Sequence, residues 1–308
     1  MSNKAPFSIN FLGIRRVFAA LSIILVIGSI GLLATQGLNL GMDFTGGTSV
    51  VAKGENEVII DDVRSALEGT PFEEATVVRY GSPRDISIRV PTLNDMPADQ
   101  VGPRLTEVVE SKLPGVKVLQ VEFVGPQVGD ELRDESGLAL LMALGLMLVY
   151  VWFRFTNKFG VATVVALLHD VIIVLGLFSL TRWTFDLTVL AAVLALIGYS
   201  LNDSIVVADR IRENFRDTRE TDPEKIINGS LNETLSRTIN TSFTTLLVLI
   251  ALFFFGGEVM RAFSEALLVG IAVGTYSSIY VVTNMLFLMK VDKQDFIIPE
   301  KKEVDDMP

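Results

Sequence analysis

Apolar residues are concentrated in six long runs, separated by polar segments of very different length. A run of about 18 or more apolar residues with few charges can cross the hydrocarbon core of a bilayer as a helix. The sequence therefore predicts six transmembrane helices, at 17–35, 137–153, 159–180, 184–208, 240–256 and 262–289. Arg15 and Arg16 precede the first run, as in a signal peptide. That run exceeds the ~7–15 apolar residues typical of one, so we expect an uncleaved helix.

The segment 36–136, between the first two runs, has the mixed pattern of a small α+β domain. Strands are predicted where β-forming residues alternate, and helices where apolar residues recur every three to four positions. The predicted elements are a strand at 47–54, a helix at 56–69, a hairpin formed by 73–82 and 84–91, a helix at 97–115 and a strand at 116–125. This βαββαβ order predicts a ferredoxin-like arrangement.

The sequence GMDFTGG (41–47) lies just after the first predicted helix. Its glycines and aspartate (Gly41, Asp43, Gly46 and Gly47) indicate a tight turn that starts the first strand. A structural corner is the simpler interpretation, and a docking point for a partner subunit is the alternative. The lysine and Ser/Thr of a nucleotide-binding P-loop are missing from this stretch.

Basic residues are enriched in the short segments on one side of the predicted membrane. That side holds Lys4, Arg15, Arg16, Arg154, Lys158, Arg210, Arg212, Arg216, Arg219, Lys225, Arg237, Lys290 and Lys293, against Arg182 and Arg261 in the short loops opposite. The positive-inside rule then predicts a cytoplasmic N-terminus (1–16), an amphipathic cytoplasmic loop (209–239) and a cytoplasmic tail (290–308). The predicted fold class is a polytopic α-helical membrane protein with one external α+β domain between helices 1 and 2.

Composition removes several classes of function. The chain has a net charge of −10, and its external domain is acidic, which argues against nucleic-acid binding. It has no cysteine and one histidine, His169, so disulfides, thiolate metal sites and multi-histidine zinc sites are excluded. Neither HExxH nor GxSxG occurs. We therefore expect a protein that is not an enzyme and holds no metal or organic cofactor.

Asp203, in the fourth predicted helix, is a costly charge within the apolar runs. An ionised carboxylate at membrane depth costs at least ~2.5 kcal/mol on insertion scales. Its polar neighbours are Ser200, Asn202 and Ser204. A role in an ion path is one interpretation. The alternative is local capping or pairing, for example with Arg210 two turns along the same face.

A second polar group begins with Arg237, next to the fifth predicted helix. Arg237, Asn240, Thr241 and Thr244 are spaced i, i+3, i+4 and i+7, which places them on one helical face. Such a stripe suits a bundle interior or a hydrated path better than lipid. The alternative is that Arg237 only anchors the helix at the headgroups.

His169 and Asp170 form the third polar site, near the middle of the third predicted helix. A structural hydrogen bond between helices and a place in the ion path are both open interpretations for Asp170. Burial and a nearby arginine have opposite effects on the proton affinity of a carboxyl group, which favours proton exchange near neutral pH. The polar sites together predict a proton or sodium path. Small residues at every fourth position predict close helix packing at Gly270, Gly274 and Ser278.

Five stretches carry a resemblance to a known family: GMDFTGG (41–47), VEFVGPQVG (121–129), ALLHD (166–170), IGYSLNDSIVVADRIREN (197–214) and LSRTINTS (235–242). In sequence and order they resemble the SecF family, the smaller subunits of the bacterial SecDF protein-export complex, within the resistance-nodulation-division-like superfamily. The resemblance implies a place in the bacterial cytoplasmic membrane. It also implies contacts with SecD, the SecYEG channel and accessory membrane proteins, a translocating preprotein and membrane lipid.

The resemblance further implies that proton-motive force, or sodium in some relatives, drives movement of the external domain. By motif match, Asp203 and Arg237 correspond to residues of the family's proton path, which also uses an aspartate on the SecD side. Two other functions stay open. A half-size exporter of small molecules or lipids would need a ligand pocket, and a non-conducting scaffold would tolerate neutral substitutions at Asp203.

Overall fold

The computed structural model describes residues 9–93, 95–154 and 156–296. Lys4 and most of the predicted cytoplasmic tail, 297–308, lie outside the described residues. The elements in chain order are α1 (Arg15–Gln36), β1 (Asn39–Leu40), α2 (Met42–Thr45), β2 (Gly47–Gly54), α3 (Ile60–Leu67), β3 (Thr76–Tyr80), β4 (Ser82–Val90), α4 (Ala98–Lys112), β5 (Val116–Val124), α5 (Pro126–Arg154), α6 (Asn157–Thr181), β6 (Thr184–Phe185), α7 (Leu187–Asp217), α8 (Pro223–Phe255) and α9 (Gly257–Leu288).

Among the described residues, six helices are long and apolar enough to cross a membrane: α1, α5, α6, α7, α8 and α9. The chain is therefore a polytopic helical membrane protein. Each helix overlaps one predicted apolar run, but several are longer. The helix α5 begins at Pro126, well before the predicted start at 137. The helix α7 begins at Leu187, because 184–185 pairs as a short strand with β1.

The expectation of an amphipathic cytoplasmic loop at 209–239 is wrong. Only the connection 218–222 is non-helical, since α7 continues to Asp217 and α8 starts at Pro223. Pro223 begins a helix instead of breaking one, because a proline in the first turn loses no hydrogen bond. Asp222 caps this turn, and its side chain accepts a hydrogen bond from the Glu224 backbone N–H at 3.0 Å.

The six long helices divide into an inner and an outer group. Half or more of the most apolar stretch is buried in each of α6, α7 and α9, compared with 6% in α5. Ala162, Ala166 and Ala192 are fully buried where the inner helices meet. The outer helices α1, α5 and α8 leave large apolar side chains exposed, as expected for surfaces that face lipid or another membrane protein.

The α+β domain contains a four-stranded antiparallel sheet in the order β3-β4-β2-β5. All six predicted elements of the domain are present, in the predicted order. The helices α3 and α4 bury apolar residues such as Val63 and Leu105 against the sheet. The strand β5 lies at the edge and leaves Leu119, Val121 and Phe123 about half exposed or more.

Candidate functional site in the helix bundle

Asp170 lies at the centre of the inner helices and is 0% exposed. Three side chains surround its carboxylate. The Ser200 hydroxyl of α7 and the Ser277 hydroxyl of α9 donate to Oδ2 at 2.5 and 2.7 Å. His169 Nδ1 lies 2.8 Å from Oδ1. A buried carboxyl group needs such partners, and side chains of three helices provide them here.

Asp203, on α7, is the second buried carboxylate, with 6% of its surface exposed. Thr238 of α8 donates to Oδ1 at 3.0 Å, and Ser278 of α9 donates to Oδ2. In the described part of the chain no Lys or Arg forms an ion pair with it. The carboxylate is thus held by neutral hydroxyl groups from two neighbouring helices.

The two carboxylates share their supporting helices. Ser277 and Ser278 are adjacent on α9. Ser277 donates a hydrogen bond to Asp170, and Ser278 donates one to Asp203. Ser200 and Asp203 are one turn apart on α7, and Ser200 donates to Asp170. A displacement of α9 along α7 would therefore change the hydrogen bonds of both carboxylates together.

The serines of α9 have a second acceptor within reach. Ser277 Oγ lies 3.1 Å from the Gly274 carbonyl oxygen, and Ser278 Oγ lies 3.0 Å from the Thr275 carbonyl oxygen. A hydroxyl has one proton and two lone pairs, so it can donate to its own helix while accepting from a protonated carboxyl. The site can therefore satisfy either protonation state of the two carboxyl groups without rebuilding the helices.

Glycines bring α9 and α7 close together at this site. A Cβ atom on Gly270 would lie 2.7 Å from Leu196 Cδ2, so any larger residue would force the Leu196 side chain to shift. A Cβ on Gly274 would lie 3.4 Å from Ser200 Cβ and 3.6 Å from Asp170 Oδ2. Ser278 continues the same line of small residues, and its hydroxyl reaches Asp203. The predicted packing stripe thus forms one wall of the carboxylate site.

The predicted polar stripe of α8 does not face the interior of this chain. Arg237, Asn240, Thr241 and Thr244 are all exposed, and Arg237 lies well inside α8 instead of at its start. Thr241 and Thr244 donate to carbonyl oxygens of their own helix. The positive charge of Arg237 acts on Asp203 only through space. The face of α8 that fills this bundle is the next one around the helix, which carries Thr238.

Asn202 and Arg210 also lie away from the carboxylates. Asn202 is exposed, on the outer side of α7. Arg210 pairs with Glu213 and Glu233, at 2.5 and 2.6 Å. The alternative in which Arg210 neutralises Asp203 is therefore wrong. Ser204 is buried beside Asp203, although no hydrogen bond joins the two side chains in the part of the chain that the structure describes.

The corner 41–47 joins the α+β domain to the bundle. The Leu187 backbone N–H donates to Asp43 Oδ2 at 3.0 Å, so Asp43 helps to cap α7. Gly46 and Gly47 have φ of +67° and +130°, conformations that favour glycine. Asp186 also caps α7, through the Val189 N–H. Burial raises the pKa of Asp186, opposed by the Val189 hydrogen bond and reinforced by the charge of Asp43.

The sequence patterns do not indicate two residues of the carboxylate site, Thr238 and Ser277. Both are ordinary hydroxyl residues in apolar helices and have no distinctive spacing of their own. A signal is present in retrospect, because Thr234, Thr238 and Ser242 recur every four residues on the buried face of α8. No group of three or more potential metal ligands occurs in the described ranges.

Two family models match the chain. The model described as "Protein export membrane protein SecD/SecF, C-terminal" covers residues 104–292, which include both carboxylates. The model of the "SecD/SecF GG Motif" covers residues 31–58, which include the corner. The chain belongs to the SecD/SecF family.

Relatives of this family match the chain over almost its whole length. The protein translocase subunit SecF of Pseudomonas aeruginosa is 46% identical over 98% of each chain. The protein translocase subunit SecDF of Thermus thermophilus is 43% identical over 91% of this chain, which spans 38% of that longer protein. The crystal structure of Thermus thermophilus SecDF, a translocon-associated membrane protein, superposes with a TM-score of 0.84 at 42% identity, over 94% of this chain and 40% of that one.

Proposed function

We propose that this protein is a SecF-type subunit of a bacterial protein translocase, in which proton-motive force assists preprotein movement through the Sec channel. Membership in the SecD/SecF family supports the translocase role. The observation that carries the coupling role is the pair of buried carboxylates, Asp170 and Asp203, held by hydroxyl groups of separate helices. Intramembrane carboxylates with such partners mark proton relays in membrane proteins.

Asp203 is the residue that takes up and releases the proton. In the ionised state, Thr238 and Ser278 donate to its two oxygens. In the protonated state, the carboxyl group donates to Ser278 Oγ, whose proton turns to the Thr275 carbonyl oxygen. Because Asp203 keeps hydrogen-bond partners in both protonation states, we take the proton as the coupling ion. Electrical work of ~2.3 kcal/mol per charge per 100 mV is then available.

SecD completes the path. The stripe of Arg237, Asn240 and Thr244 is exposed at membrane depth in this chain, where lipid would leave its charge and amide poorly solvated. A SecDF relative carries both halves in one longer protein, of which this chain matches 38%. We infer that a SecD helix covers the stripe and places its own carboxylate within reach of Arg237. His169 and Asp170 then form the inner end of the path and Asn202 lines its outer edge.

The protein lies in the bacterial cytoplasmic membrane with both termini in the cytoplasm, as the distribution of basic residues favours. The α+β domain is external and ferredoxin-like, supported by its βαββαβ order and antiparallel sheet. It meets the preprotein on the far side of the SecYEG channel, where accessory membrane proteins also contribute. Lipid surrounds the outer helices, and no nucleic acid, metal or enzymatic reaction is part of this function.

The test is preprotein translocation into vesicles that contain Asp203→Asn together with its SecD partner, with and without an imposed proton gradient. Asparagine keeps the size and polarity of the side chain but cannot ionise. Glu213→Gln is the matched control, because Glu213 lies farther along α7, exposed and paired with Arg210. We expect only Asp203→Asn to abolish the gradient-dependent part of translocation at normal complex levels. Unchanged gradient dependence would favour the scaffold function instead.

A further inference from the structure

A groove of about 390 Å³ opens between α1, α6 and α9. Its walls are almost entirely apolar and include Phe18, Ala19, Val26, Ile172 and Met285. Four residues with polar side-chain groups also line it: Ser22, His169, Tyr280 and Asn284. The buried Nε2 of His169 has no hydrogen-bond partner, and the Asn284 amide forms no hydrogen bond within the described ranges.

The groove follows one leaflet of the membrane. Its shallow end is at Leu288, the last residue of α9, and its deep end is at Ile27 and Ile172. Ile27 is twelve residues beyond the start of α1, which corresponds to about 18 Å at ~1.5 Å per residue. This depth is close to half of the ~30 Å hydrocarbon core. The groove therefore has the length and position of one acyl chain in the leaflet on the side of the chain termini.

The shallow end carries the chemistry of a phospholipid headgroup site. Arg16 continues the groove-facing side of α1 by helical periodicity, is exposed, and has no ion-pair partner among the residues that the structure describes. Its neighbour Arg15 is held differently, over the Phe287 ring and against Glu224. Asn284 lies one turn inside the end of α9, close to this shallow end. Basic positions above a gap between helices on the cytoplasmic side favour anionic headgroups.

We propose that the groove between α1, α6 and α9 binds one acyl chain of an anionic phospholipid of the cytoplasmic leaflet. Arg16 pairs with the phosphate, and the Asn284 amide donates to an ester carbonyl. The methyl end of the acyl chain covers the His169 ring, whose Nδ1 faces Asp170. The lipid thereby keeps water from the outer edge of the buried site. The leaflet follows from the orientation in the proposed function, whereas the groove itself does not depend on proton coupling.

The test measures motionally restricted lipid in vesicles that contain the complex with SecD. The probes are phosphatidylglycerol and phosphatidylcholine, each spin-labelled near the end of an acyl chain. Ala19→Trp fills the groove. Leu141→Trp is the control, because Leu141 is 68% exposed on α5, outside the groove. We expect Ala19→Trp to remove one restricted phosphatidylglycerol per complex, with no loss in the control.

The headgroup contact has its own readout. Arg16→Gln should weaken the preference for phosphatidylglycerol over phosphatidylcholine about five-fold, as expected for one basic residue near the surface. Equal restricted lipid in both tryptophan variants would overturn the proposal, since only the general lipid shell would then be present. Cross-linking of a groove cysteine at Val26 to a SecD helix would also overturn it. These measurements need no gradient, so their failure is distinguishable from failure of the translocation assay.

Discussion

The hydrogen bond from Ser277 to Asp170 tests how the bundle stabilises its most buried carboxylate. Ser277→Ala removes one of the two hydroxyl donors to that group, at 2.7 Å, and leaves Ser200 and the contact with His169 in place. Asp170 is 0% exposed, so bulk water cannot replace the missing donor. The variant also removes little volume, so loss of packing contributes little to the result.

The size of the effect depends on the charge of Asp170. A hydrogen bond to a charged group contributes about 1.5–3 kcal/mol. Bonds between helices in membrane bundles average about 0.6 kcal/mol. Without the Ser277 hydroxyl, Asp170 Oδ2 keeps Ser200 as its hydroxyl donor, in a site that bulk water does not reach. We therefore expect Ser277→Ala to lower the free energy of unfolding by about 1.5–3 kcal/mol.

Ser264→Ala is the matched control on the same helix. Ser264 is also fully buried, but its hydroxyl donates only to the Met260 carbonyl oxygen, at 2.7 Å. We expect its loss to change the free energy of unfolding by less than about 1 kcal/mol. The measurement is unfolding of the purified protein in mixed micelles with a denaturing detergent. Equal losses for the two alanine variants would refute a special role for the hydrogen bonds to Asp170, and an Asp170→Asn background should remove most of the difference.

Three further predictions follow from other parts of the structure. Thr238→Val removes the hydroxyl that donates to Asp203 and should slow gradient-dependent translocation, whereas Thr241→Val, which loses only a bond to its own helix, should not. Gly270→Ala should lower the free energy of unfolding by about 1–3 kcal/mol, because the new methyl group overpacks the contact with Leu196. Gly198→Ala has open space around its Cβ and should raise the free energy of unfolding by about 0.5–1 kcal/mol. Asp186→Asn keeps the cap without the buried charge. Because the pKa of Asp186 is raised, the wild-type protein loses stability as the pH rises through that pKa. The Asp186→Asn variant should therefore be as stable as the wild type in acid and more stable near neutral pH. Thermal unfolding at a series of pH values measures this difference. An unchanged difference across pH would contradict the last prediction.

The sequence predicts the elements of this fold well because their patterns are local. The strands and helices of the α+β domain come from alternation and from three-to-four residue spacing, and all of them are found. The helix ends were harder, since Pro223 can either stop or start a helix and only the Asp222 cap decides. The apolar runs predict that a transmembrane helix is present. They do not predict how far the helix continues into the polar residues on either side.

The faces of the helices could not be predicted in the same way. Residues along α8 are apolar or small on several sides, so periodicity does not distinguish the face toward this bundle from the face toward a partner. The stripe headed by Arg237 and the row containing Thr238 have equally regular spacing, and the structure buries only the second. The sequence indicates that Asp203 needs polar partners, because a carboxylate in an apolar run cannot be left without them. Its partners depend on tertiary packing.

The helix α7 connects the buried carboxylates to the α+β domain. Asp203 is sixteen residues from the start of α7, or about 24 Å along a continuous helix. At that start, the Leu187 N–H donates to Asp43, and Asp43 belongs to the corner whose glycines begin β2. A continuous helix transmits tilt and axial displacement over this distance without loss of its hydrogen bonds. Under the proposed function, a shift of Ser278 against Asp203 on protonation can therefore reach the α+β domain through one continuous helix and the Asp43 contact at its start.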